Sequence, residues 1–297
     1  MTITGATRVV GVIGSPVRHS LSPAIHNAAF AAAGLDWLMV AFEVVPGAAP
    51  AALAGMRAFG IAGLAVTMPH KDAIAATVDT LDPAAAALGA VNTVVMQPDG
   101  RLAGYSTDGA GFLASLRDAG VDPAGLKVAV LGAGGAARSV IDSLARSGVG
   151  RIAVVNRSAD RAEVAAALAG DIGVVGGSSD IAAADLVINA TSIGMGTHDA
   201  PCDLALLHPQ QIVADLVYHP LETALLAAGR AVGARVVDGL GMLVHQAAIQ
   251  QFLWTGIRPD AHAMRTAAEH ELAARGFGSN GRRGSLPSSS DPRADPG

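Results

Sequence analysis

The chain has 297 residues, of which 51% are hydrophobic and 15% are charged, and its formal net charge is -5. This composition excludes a disordered chain, offers no basic cluster of the size that nucleic-acid-binding proteins carry, and contains no apolar run of membrane-spanning length. The single cysteine, Cys202, excludes an intrachain disulfide. Together with the absence of a signal-peptide layout, it leads us to expect a protein of the reducing cytoplasm.

Strands and helices alternate through the first 120 residues, which is typical of an α/β layer. We place strands over residues 8–13, 38–44, 61–66, 92–96 and 102–104, the last pairing back on its predecessor. Ser22 resembles an N-cap, with Pro23 at the first helical position and the helix continuing to about residue 33. Further helices are predicted over residues 46–59, 69–77, 83–88 and 108–119.

The stretch KVAVLGAGGAAR, residues 127–138, organises the second half of the chain. Its apolar run over residues 128–131 suits a strand buried on both faces of a parallel sheet. Gly132, Gly134 and Ala137 then match the pattern G-x-G-x-x-G/A, whose small residues allow a tight turn, close approach of the backbone to a pyrophosphate, and packing of helix on strand. The helix predicted over residues 136–146 would offer unpaired N–H groups to an anion.

Glycine patterns of this kind also occur in plain strand-to-helix turns, so only the neighbouring elements can distinguish such a turn from a dinucleotide-binding loop. A strand precedes the glycines, a helix follows them, and a second strand over residues 151–155 comes at βαβ distance, which favours dinucleotide binding. Further strands are predicted over residues 172–175, 185–189, 212–215 and 235–237, with helices over 159–169, 222–231, 239–252 and 260–274. The sequence therefore predicts a Rossmann-type parallel sheet, followed by two helices that could return to the first domain.

The residues after the second strand of this domain indicate which dinucleotide binds. NAD-binding units usually carry Asp or Glu there, whereas this chain has Asn156, Arg157 and Ser158, with Arg161 one turn on. A carboxylate would repel a 2′-phosphate, whereas a guanidinium pairs with it through two hydrogen bonds. We therefore expect NADP rather than NAD. The alternative is that both arginines are ordinary surface residues.

Three polar clusters follow predicted strands of the first half, where open α/β sheets bind ligands. They are SPVRHSLSP (15–23), VTMPHK (66–71) and AVNT (90–93), with STDG (106–109) nearby in sequence. Hydroxyls, an amide, an ammonium and a carboxylate together suit a small polyhydroxylated substrate. On their own, Ser20 and Ser22 also fit turn and cap residues, Lys71 fits a solvated lysine at a helix start, and Asp108 fits an N-cap.

The motifs SPVRHSLSPAIHN, VTMPHK, GAVNTVV, STDG, LGAGGAARS, NRSADRA, NATSIGM and DGLGMLVHQAA occur in the order found in shikimate dehydrogenases, and the chain resembles that family from about residue 9 to residue 270. The resemblance implies reversible reduction of 3-dehydroshikimate to shikimate by NADPH, in the chorismate pathway of aromatic amino-acid biosynthesis. It implies a two-domain α/β fold: a substrate domain over residues 1–107, completed by helices within 239–275, and a Rossmann-type NADP domain over 108–238. The active site would lie in the cleft between them.

The resemblance also implies roles for particular residues. Lys71 and Asp108 would form the catalytic pair, with the lysine as general base for the hydroxyl proton and the aspartate orienting it. The substrate carboxylate would be bound by Ser20, Ser22 and Tyr218, and the substrate hydroxyls by Thr67, Asn92 and Gln246. The NADP pyrophosphate would be held by Gly132, Ala133, Gly134, Gly135 and Ala136, the 2′-phosphate by Asn156, Arg157, Ser158 and Arg161, and the nicotinamide would lie near Leu216 and Gly239. The chemistry requires no metal, and we find no metal-binding spacing of histidines.

Two positions depart from the common pattern of the family and leave alternatives open. Many members have Asn at the positions of Ala65 and Ser106, and both changes lie beside substrate-contacting residues. A quinate or aminoshikimate dehydrogenase is therefore one alternative, although Asn156 and Arg157 disfavour the quinate branch, which often carries an acidic residue there. A catalytically silent NADPH-sensing protein is another. We expect a small-molecule substrate, no nucleic-acid or membrane partner, a monomer or homodimer, and a disordered tail over residues 276–297.

Overall fold

The computed structural model describes residues 2–276, which contain two six-stranded sheets. The first sheet has the strand order β2-β1-β3-β5-β6-β4. Strand β1 is parallel to β2 and β3, whereas β5 is antiparallel to both β3 and β6, so the predicted return of the chain near residue 102 is confirmed. The strands are β1 (Arg8–Gly14), β2 (Trp37–Glu43), β3 (Gly63–Val66), β4 (Thr80–Leu81), β5 (Thr93–Met96) and β6 (Leu102–Tyr105).

The helices that connect these strands lie within three residues of their predicted bounds. They are α1 (Ser22–Ala32), α2 (Ala49–Phe59), α3 (Lys71–Ala75) and α4 (Pro83–Leu88). The prediction that Ser22 caps α1 is wrong. Leu21 occupies the N-cap position and no side chain caps the helix, because Ser22 is already its first residue and Pro23 is tolerated within the first turn.

The second sheet is entirely parallel and has the order β12-β11-β10-β7-β8-β9. Counted from its own first strand, this is the order 3-2-1-4-5-6 of the Rossmann fold. The predicted α/β class with a Rossmann-type domain is therefore confirmed. The strands are β7 (Lys127–Leu131), β8 (Arg151–Val155), β9 (Gly173–Val175), β10 (Leu186–Asn189), β11 (Ile212–Asp215) and β12 (Arg235–Val237).

The helices of the second half are α5 (Asp108–Asp118), α6 (Gly135–Arg146), α7 (Ala159–Ala166), α8 (Ser178–Ala182), α9 (Ala224–Ala231), α10 (Gly239–Thr255) and α11 (Ala261–Ala274). Helix α7 is shorter than predicted and gives way to a 3-10 helix over Ala167–Ile172, because Gly170 there has non-helical angles (φ 57, ψ -137). Helix α8 is missing from the predicted elements, since it is only five residues long and follows two glycines.

Helices α10 and α11 return to the first sheet after the second sheet is complete. Trp254 of α10 donates from Nε1 to the carbonyl oxygen of Val94 in β5 at 3.0 Å. Its indole packs where Gly63 of β3 lacks a side chain, so any larger residue there would collide with the ring. Met264 and Leu272 of α11 pack with α1 in a shared apolar cluster. The C-terminal helices thereby close the molecule against its first half.

In the part of the chain that the structure describes, no helix is long and apolar enough to cross a membrane. The predicted disordered tail lies outside the described residues, apart from Gly276.

Candidate active site

Lys71 and Asp108 meet between the two sheets, although they are 37 positions apart in sequence. Lys71 is the first residue of α3, and Asp108 is the first residue of α5. Lys71 Nζ donates to Asp108 Oδ2 at 2.6 Å, and the two side chains are 23% and 12% exposed. The alternative interpretations of these residues are therefore wrong. Lys71 is ion-paired rather than solvated, and Thr107, not Asp108, occupies the N-cap position of α5.

Asn92, at the end of the loop that leads into β5, fixes the orientation of the Asp108 carboxylate. Its Nδ2 donates to Asp108 Oδ1 at 2.7 Å and to Thr107 Oγ1 at 2.9 Å. Its Oδ1 accepts from the main-chain N–H of Thr107 at 2.9 Å and from Thr93 Oγ1 at 2.8 Å. The side-chain amide of Asn92 is buried, and both its nitrogen and its oxygen have hydrogen-bond partners. Asn92 therefore holds Oδ1 of Asp108, and Lys71 holds Oδ2, before any ligand binds.

A single cavity collects the side chains that the sequence predicts for catalysis and substrate binding. It lies at the carboxyl ends of strands from both sheets, where α/β proteins bind ligands. Three of the predicted cofactor residues, Ala136, Leu216 and Gly239, line it as well. The predicted catalytic and substrate-binding residues in its wall are Lys71, Asp108, Ser20, Ser22, Thr67, Asn92, Tyr218 and Gln246.

One corner of this cavity presents hydroxyl groups. Ser20 Oγ donates to Ser22 Oγ at 3.1 Å and accepts from the Ser22 N–H at 3.2 Å. Tyr218 lines the same cavity. Burial raises the pKa of Tyr218, and the positive charge of Arg275 opposes that change. The phenol therefore keeps its proton at neutral pH and is a hydrogen-bond donor in this corner.

The loop that carries Tyr218 is anchored by Asp215, the last residue of β11. The carboxylate of Asp215 accepts hydrogen bonds from Asn189 Nδ2 at 2.9 Å, from the Val217 N–H at 2.9 Å and from Thr223 Oγ1 at 2.7 Å. Burial raises its pKa to about 6, although these three donors favour the ionised form. Because its donors lie on β10 and on both sides of the loop, Asp215 fixes where residues 216–223 cross the cavity.

His26 connects α1 to the cavity wall through two glutamines of α10. Its Nε2 lies 3.3 Å from Gln250 Oε1 and its Nδ1 lies 3.4 Å from Gln251 Oε1. Burial lowers the pKa of His26 to about 4, so the ring is neutral and carries one N–H. Gln251 Nε2 is buried without a partner among residues 2–276. If the Gln251 amide is rotated, its Nε2 can donate to His26 Nδ1, and His26 Nε2 then donates to Gln250 Oε1. Gln250 Nε2 in turn donates to the main-chain carbonyl oxygen of Asn92 at 3.3 Å.

A groove adjoins the cavity at Lys71 and is lined by Ala133, Gly134, Gly135 and Arg161. A Cβ atom added to Gly134 or Gly135 would meet no heavy atom within 4 Å, so the loop is open on this side. Helix α6 begins at Gly135 with no capping side chain and no acidic residue in its first turn. The exposed start of this helix fits an anionic group such as a pyrophosphate.

Gly132 shapes the same loop from within. Its φ of +105 lies in the region that favours glycine, and a Cβ there would lie 2.9 Å from Thr191 Cγ2. Its N–H donates to the carbonyl oxygen of Val155 at 2.8 Å, which joins the loop to the end of β8. The first glycine of the predicted pattern is thus required by the backbone itself, whereas Gly134 and Gly135 keep the surface open.

The predicted phosphate-binding residues follow β8 at an exposed turn. Ser158 caps α7 by accepting from the Arg161 N–H at 3.4 Å, and Asn156 Nδ2 donates to the carbonyl oxygen of Ser158 at 3.0 Å. Arg157 and Arg161 are exposed, and neither guanidinium makes a hydrogen bond or ion pair with any residue that the structure describes. Two unpaired guanidinium groups beside a helix start fit a phosphate. Asn156, Arg157, Ser158 and Gly132 do not line the cavity itself.

Several residues of the site escaped the sequence analysis. Gln250 lines the cavity, and its spacing of four residues from Gln246 is a signal that could have found it, since such residues share a helix face. Arg138 of α6 donates from Nη2 to the carbonyl oxygen of Leu88 at 2.9 Å and so links the two halves. Of the two atypical positions, Ala65 lines the cavity. Ser106 does not, and its N–H donates to Asp82 Oδ1 at 3.2 Å.

Residues 2–276 contain no group of three or more His, Cys, Asp and Glu side chains placed to hold a metal ion. A mixed sheet and a Rossmann-type sheet share one polar cavity, with an open glycine loop beside a lysine–aspartate pair. This arrangement defines the class of two-domain, dinucleotide-dependent oxidoreductases.

Comparison with known proteins specifies the family. The model described as shikimate dehydrogenase substrate binding domain matches residues 12–94. The model described as shikimate / quinate 5-dehydrogenase matches residues 117–195, and that described as shikimate 5′-dehydrogenase C-terminal domain matches residues 239–269. The chain is 49% identical over 266 residues to the shikimate dehydrogenase (NADP(+)) of Moorella thermoacetica, which is 86% of this chain and 90% of that protein. The chain belongs to the shikimate dehydrogenase family.

Solved structures agree with this assignment, and they also include a similar protein that is named for a different substrate. The crystal structure of shikimate 5-dehydrogenase from Thermus thermophilus, in complex with NADP(H) and shikimate, is 37% identical with a TM-score of 0.85, covering 89% of this chain and 100% of that one. The ligand-free 5-ketofructose reductase of Gluconobacter sp. strain CHM43 is 34% identical with a TM-score of 0.82, covering 90% and 99%. The same fold therefore serves more than one polyol substrate.

Proposed function

We propose that this chain catalyses the reversible, NADP-dependent reduction of 3-dehydroshikimate to shikimate, a step towards chorismate and the aromatic amino acids. The observation that carries the proposal is the Lys71–Asp108 pair, 2.6 Å apart, in the wall of the cavity, with Lys71 also lining the glycine-loop groove. A proton-accepting group belongs at that boundary, because the reacting carbon must face the substrate site and the cofactor at once. The similarity to a shikimate dehydrogenase (NADP(+)) and to a shikimate 5-dehydrogenase in complex with NADP(H) and shikimate supports the same substrate and cofactor.

The proton path follows from the geometry of this pair. Oxidation of a secondary alcohol removes a hydride from carbon and a proton from oxygen, and bound NADP would accept the hydride. Lys71 Nζ in its neutral form would accept the hydroxyl proton, and would return it to the ketone oxygen during reduction. Asp108, whose Oδ1 is held by Asn92, would orient Nζ through Oδ2 and accept a hydrogen bond from a neighbouring substrate hydroxyl.

The donor set of the cavity suits the rest of the substrate. Ser20, Ser22 and Tyr218 would donate to its carboxylate, since the hydroxyls of Ser20 and Ser22 are hydrogen-bonded to each other and Tyr218 lines the same cavity. The hydroxyls would be bound by Thr67, Asn92 and Gln246. Such a site discriminates strongly against analogues without these hydroxyls, because buried donors and acceptors would then lose their partners.

The cofactor roles are proposed on the same basis. The open loop at residues 132–136 would hold the pyrophosphate, and the exposed groups of Asn156, Arg157, Ser158 and Arg161 would hold the 2′-phosphate. The nicotinamide would lie near Leu216 and Gly239, which face the cavity. We likewise propose that residues 1–107 and 239–275 form the substrate domain and residues 108–238 the NADP domain.

Initial rates of reduced-cofactor formation test the proposal, with shikimate and quinate each offered with NADP and with NAD. We expect rapid turnover only with shikimate and NADP. Faster turnover of quinate would assign the chain to the other branch of the family and would implicate Ala65, which lines the cavity. If the chain binds NADPH tightly but neither oxidises shikimate or quinate nor reduces 5-ketofructose, the result would favour the alternative of a catalytically silent NADPH-sensing protein.

A further inference from the structure

Arg275 joins the end of α11 to the loop between β1 and α1. Its Nη1 donates to the carbonyl oxygen of His19 at 2.6 Å, and its Nη2 lies 3.5 Å from the carbonyl oxygen of Ser20. Its Nε donates to Glu271 one turn earlier at 2.8 Å. The arginine side chain is only 28% exposed. One guanidinium therefore bridges residues that are more than 250 positions apart in sequence.

These contacts are made with the part of the loop that carries Ser20 and Ser22, whose hydroxyls are predicted to bind the substrate carboxylate. The Ser20 main chain sets the direction of its own hydroxyl, and Ser20 Oγ in turn positions Ser22 through two hydrogen bonds. On the other side, α11 is fixed against α1 by the apolar packing of Met264 and Leu272. Arg275 therefore ties the main chain at His19 and Ser20 to the end of α11, beside Leu21, whose side chain is buried in the same apolar cluster.

The hydroxyl corner has no lysine or arginine in its own wall. Among the described residues that line the cavity, Lys71 is the only lysine or arginine, and it is paired with Asp108 at the reacting end. His19 also lines the cavity, and its main-chain carbonyl oxygen is the one that Arg275 binds at 2.6 Å. Arg275 stands behind that corner, and its charge is felt at Tyr218 on the other side. A positive charge behind neutral donors favours an anion in front of them.

We propose that Arg275 is a positioning residue for the carboxylate end of the substrate. It holds the His19 and Ser20 carbonyl groups so that the Ser20 and Ser22 hydroxyls point into the cavity, and its charge strengthens their hold on an anion. This inference rests on the proposed function, and it adds to the site a residue that does not touch the substrate.

The test compares Arg275→Met and Arg275→Lys with the wild type. For Arg275→Met we expect the KM for shikimate to rise on the order of tenfold, as the loss of charge-assisted hydrogen bonds predicts. The kcat and the KM for NADP should stay within about twofold, because Lys71 and the glycine loop are untouched. Arg275→Lys should recover part of the affinity, since an ammonium can donate to the His19 carbonyl. The methyl ester of shikimate should lose less affinity than shikimate, since it carries no charge at that end.

Glu271→Gln is the matched control, because it removes the ion pair of Arg275 but leaves both donors to the loop in place. It should leave the KM for shikimate unchanged. An unchanged KM in folded Arg275→Met would overturn the inference, as would a joint rise of both KM values with a lower melting temperature, or equal losses for shikimate and its ester. If the wild type itself does not oxidise shikimate, the proposed function fails and this inference fails with it.

Discussion

The ammonium of Lys71 and the carboxylate of Asp108 are 2.6 Å apart, and each belongs to the first residue of its helix. Helix α3 follows β3, and α5 follows β6, so the two helices start at the edge of one sheet from strands that are not neighbours. The pair is thus a product of sheet topology rather than of sequence proximity. It follows that each partner can be replaced without disturbing the local structure of the other.

Lys71→Met should reduce kcat by a factor of about 10² to 10⁴, the range typical for loss of a general base. Methionine retains much of the apolar length of the lysine side chain but cannot accept a proton. Initial rates of shikimate oxidation would measure the loss, and fluorescence titration with NADPH should give an unchanged Kd. Lys127→Met is the control, because Lys127 is the other lysine of the chain and is exposed at the start of β7. Full activity in Lys71→Met would contradict the proposed proton path.

Arg157→Ala should weaken NADP selectively. Because the exposed guanidinium makes no hydrogen bond or ion pair with a described residue, its removal should not alter folding, and only a 2′-phosphate would lose a partner. We expect the KM for NADP to rise on the order of tenfold, as for one charge-assisted interaction, while the KM for NAD does not rise. Steady-state kinetics with both cofactors would measure the ratio. Arg117→Ala removes an exposed arginine of α5 and should change neither value; equal effects on NADP and NAD would refute the assignment.

Sequence patterns predicted the order of the elements apart from β4 and α8, and the family resemblance supplied most of the polar residues of the cavity, although not Gln250. Periodicity and turn residues located the strands, and the glycine pattern located the second sheet. The chemistry of Lys71 and Asp108 is different: without the resemblance to a family, the local interpretations as a solvated lysine and a helix cap were the more plausible ones. Only the fold distinguishes these, because the two residues reach each other across the ends of different strands.

The remaining features depend on contacts that no local pattern records. The Arg275–His19 hydrogen bond joins the two ends of the chain, and the contacts of His26 with Gln250 and Gln251 span more than 220 positions. Strand β4 has only two residues and is exposed, so no burial pattern marks it. The contacts of Arg275 and His26 result from the return of α10 and α11 to the first half of the molecule, which the sequence allowed but did not require.

Gly111→Ala should damage both stability and activity, because α5 and α10 touch backbone to backbone at this point. A Cβ on Gly111 would lie 2.6 Å from the main-chain nitrogen of Gln246, so one helix must move. We expect a loss of about 1–3 kcal/mol in the free energy of unfolding, as overpacking typically costs. The KM for shikimate should also rise, since the displaced helix carries Gln246. Urea denaturation and steady-state kinetics would measure the two effects.

Gly55→Ala in α2 is the matched control for that substitution. Its added Cβ would make only an ordinary contact, 3.7 Å from Phe59, so the higher helix propensity of alanine should stabilise the protein by about 0.5–1 kcal/mol. The two substitutions are chemically identical and both lie inside helices, so opposite signs would isolate the close approach of α5 and α10. A stabilising effect at both positions would mean that the two helices separate easily.

Asp215→Asn should remove a specific pH dependence of stability. Burial raises the pKa of Asp215 to about 6 in the folded protein, above its ordinary value of 3.8. The folded state therefore binds this proton more tightly than the unfolded state, and the resulting stabilisation is present below pH 3.8 and lost as the pH rises through 6. Between pH 4.5 and 7.5 the wild type should lose about 2 kcal/mol from this group, whereas a neutral amide loses nothing.

The measurement is the difference in free energy of unfolding between Asp215→Asn and the wild type, from urea denaturation at several values of pH. Because every other titrating group is common to the two proteins, the difference isolates Asp215. It should shift in favour of the variant as the pH rises from 4.5 to 7.5. Asp171→Asn, at an exposed carboxylate without a side-chain hydrogen bond to any residue from 2 to 276, should show no such shift. A constant difference for Asp215→Asn would mean that the donors from Asn189, Val217 and Thr223 offset the effect of burial.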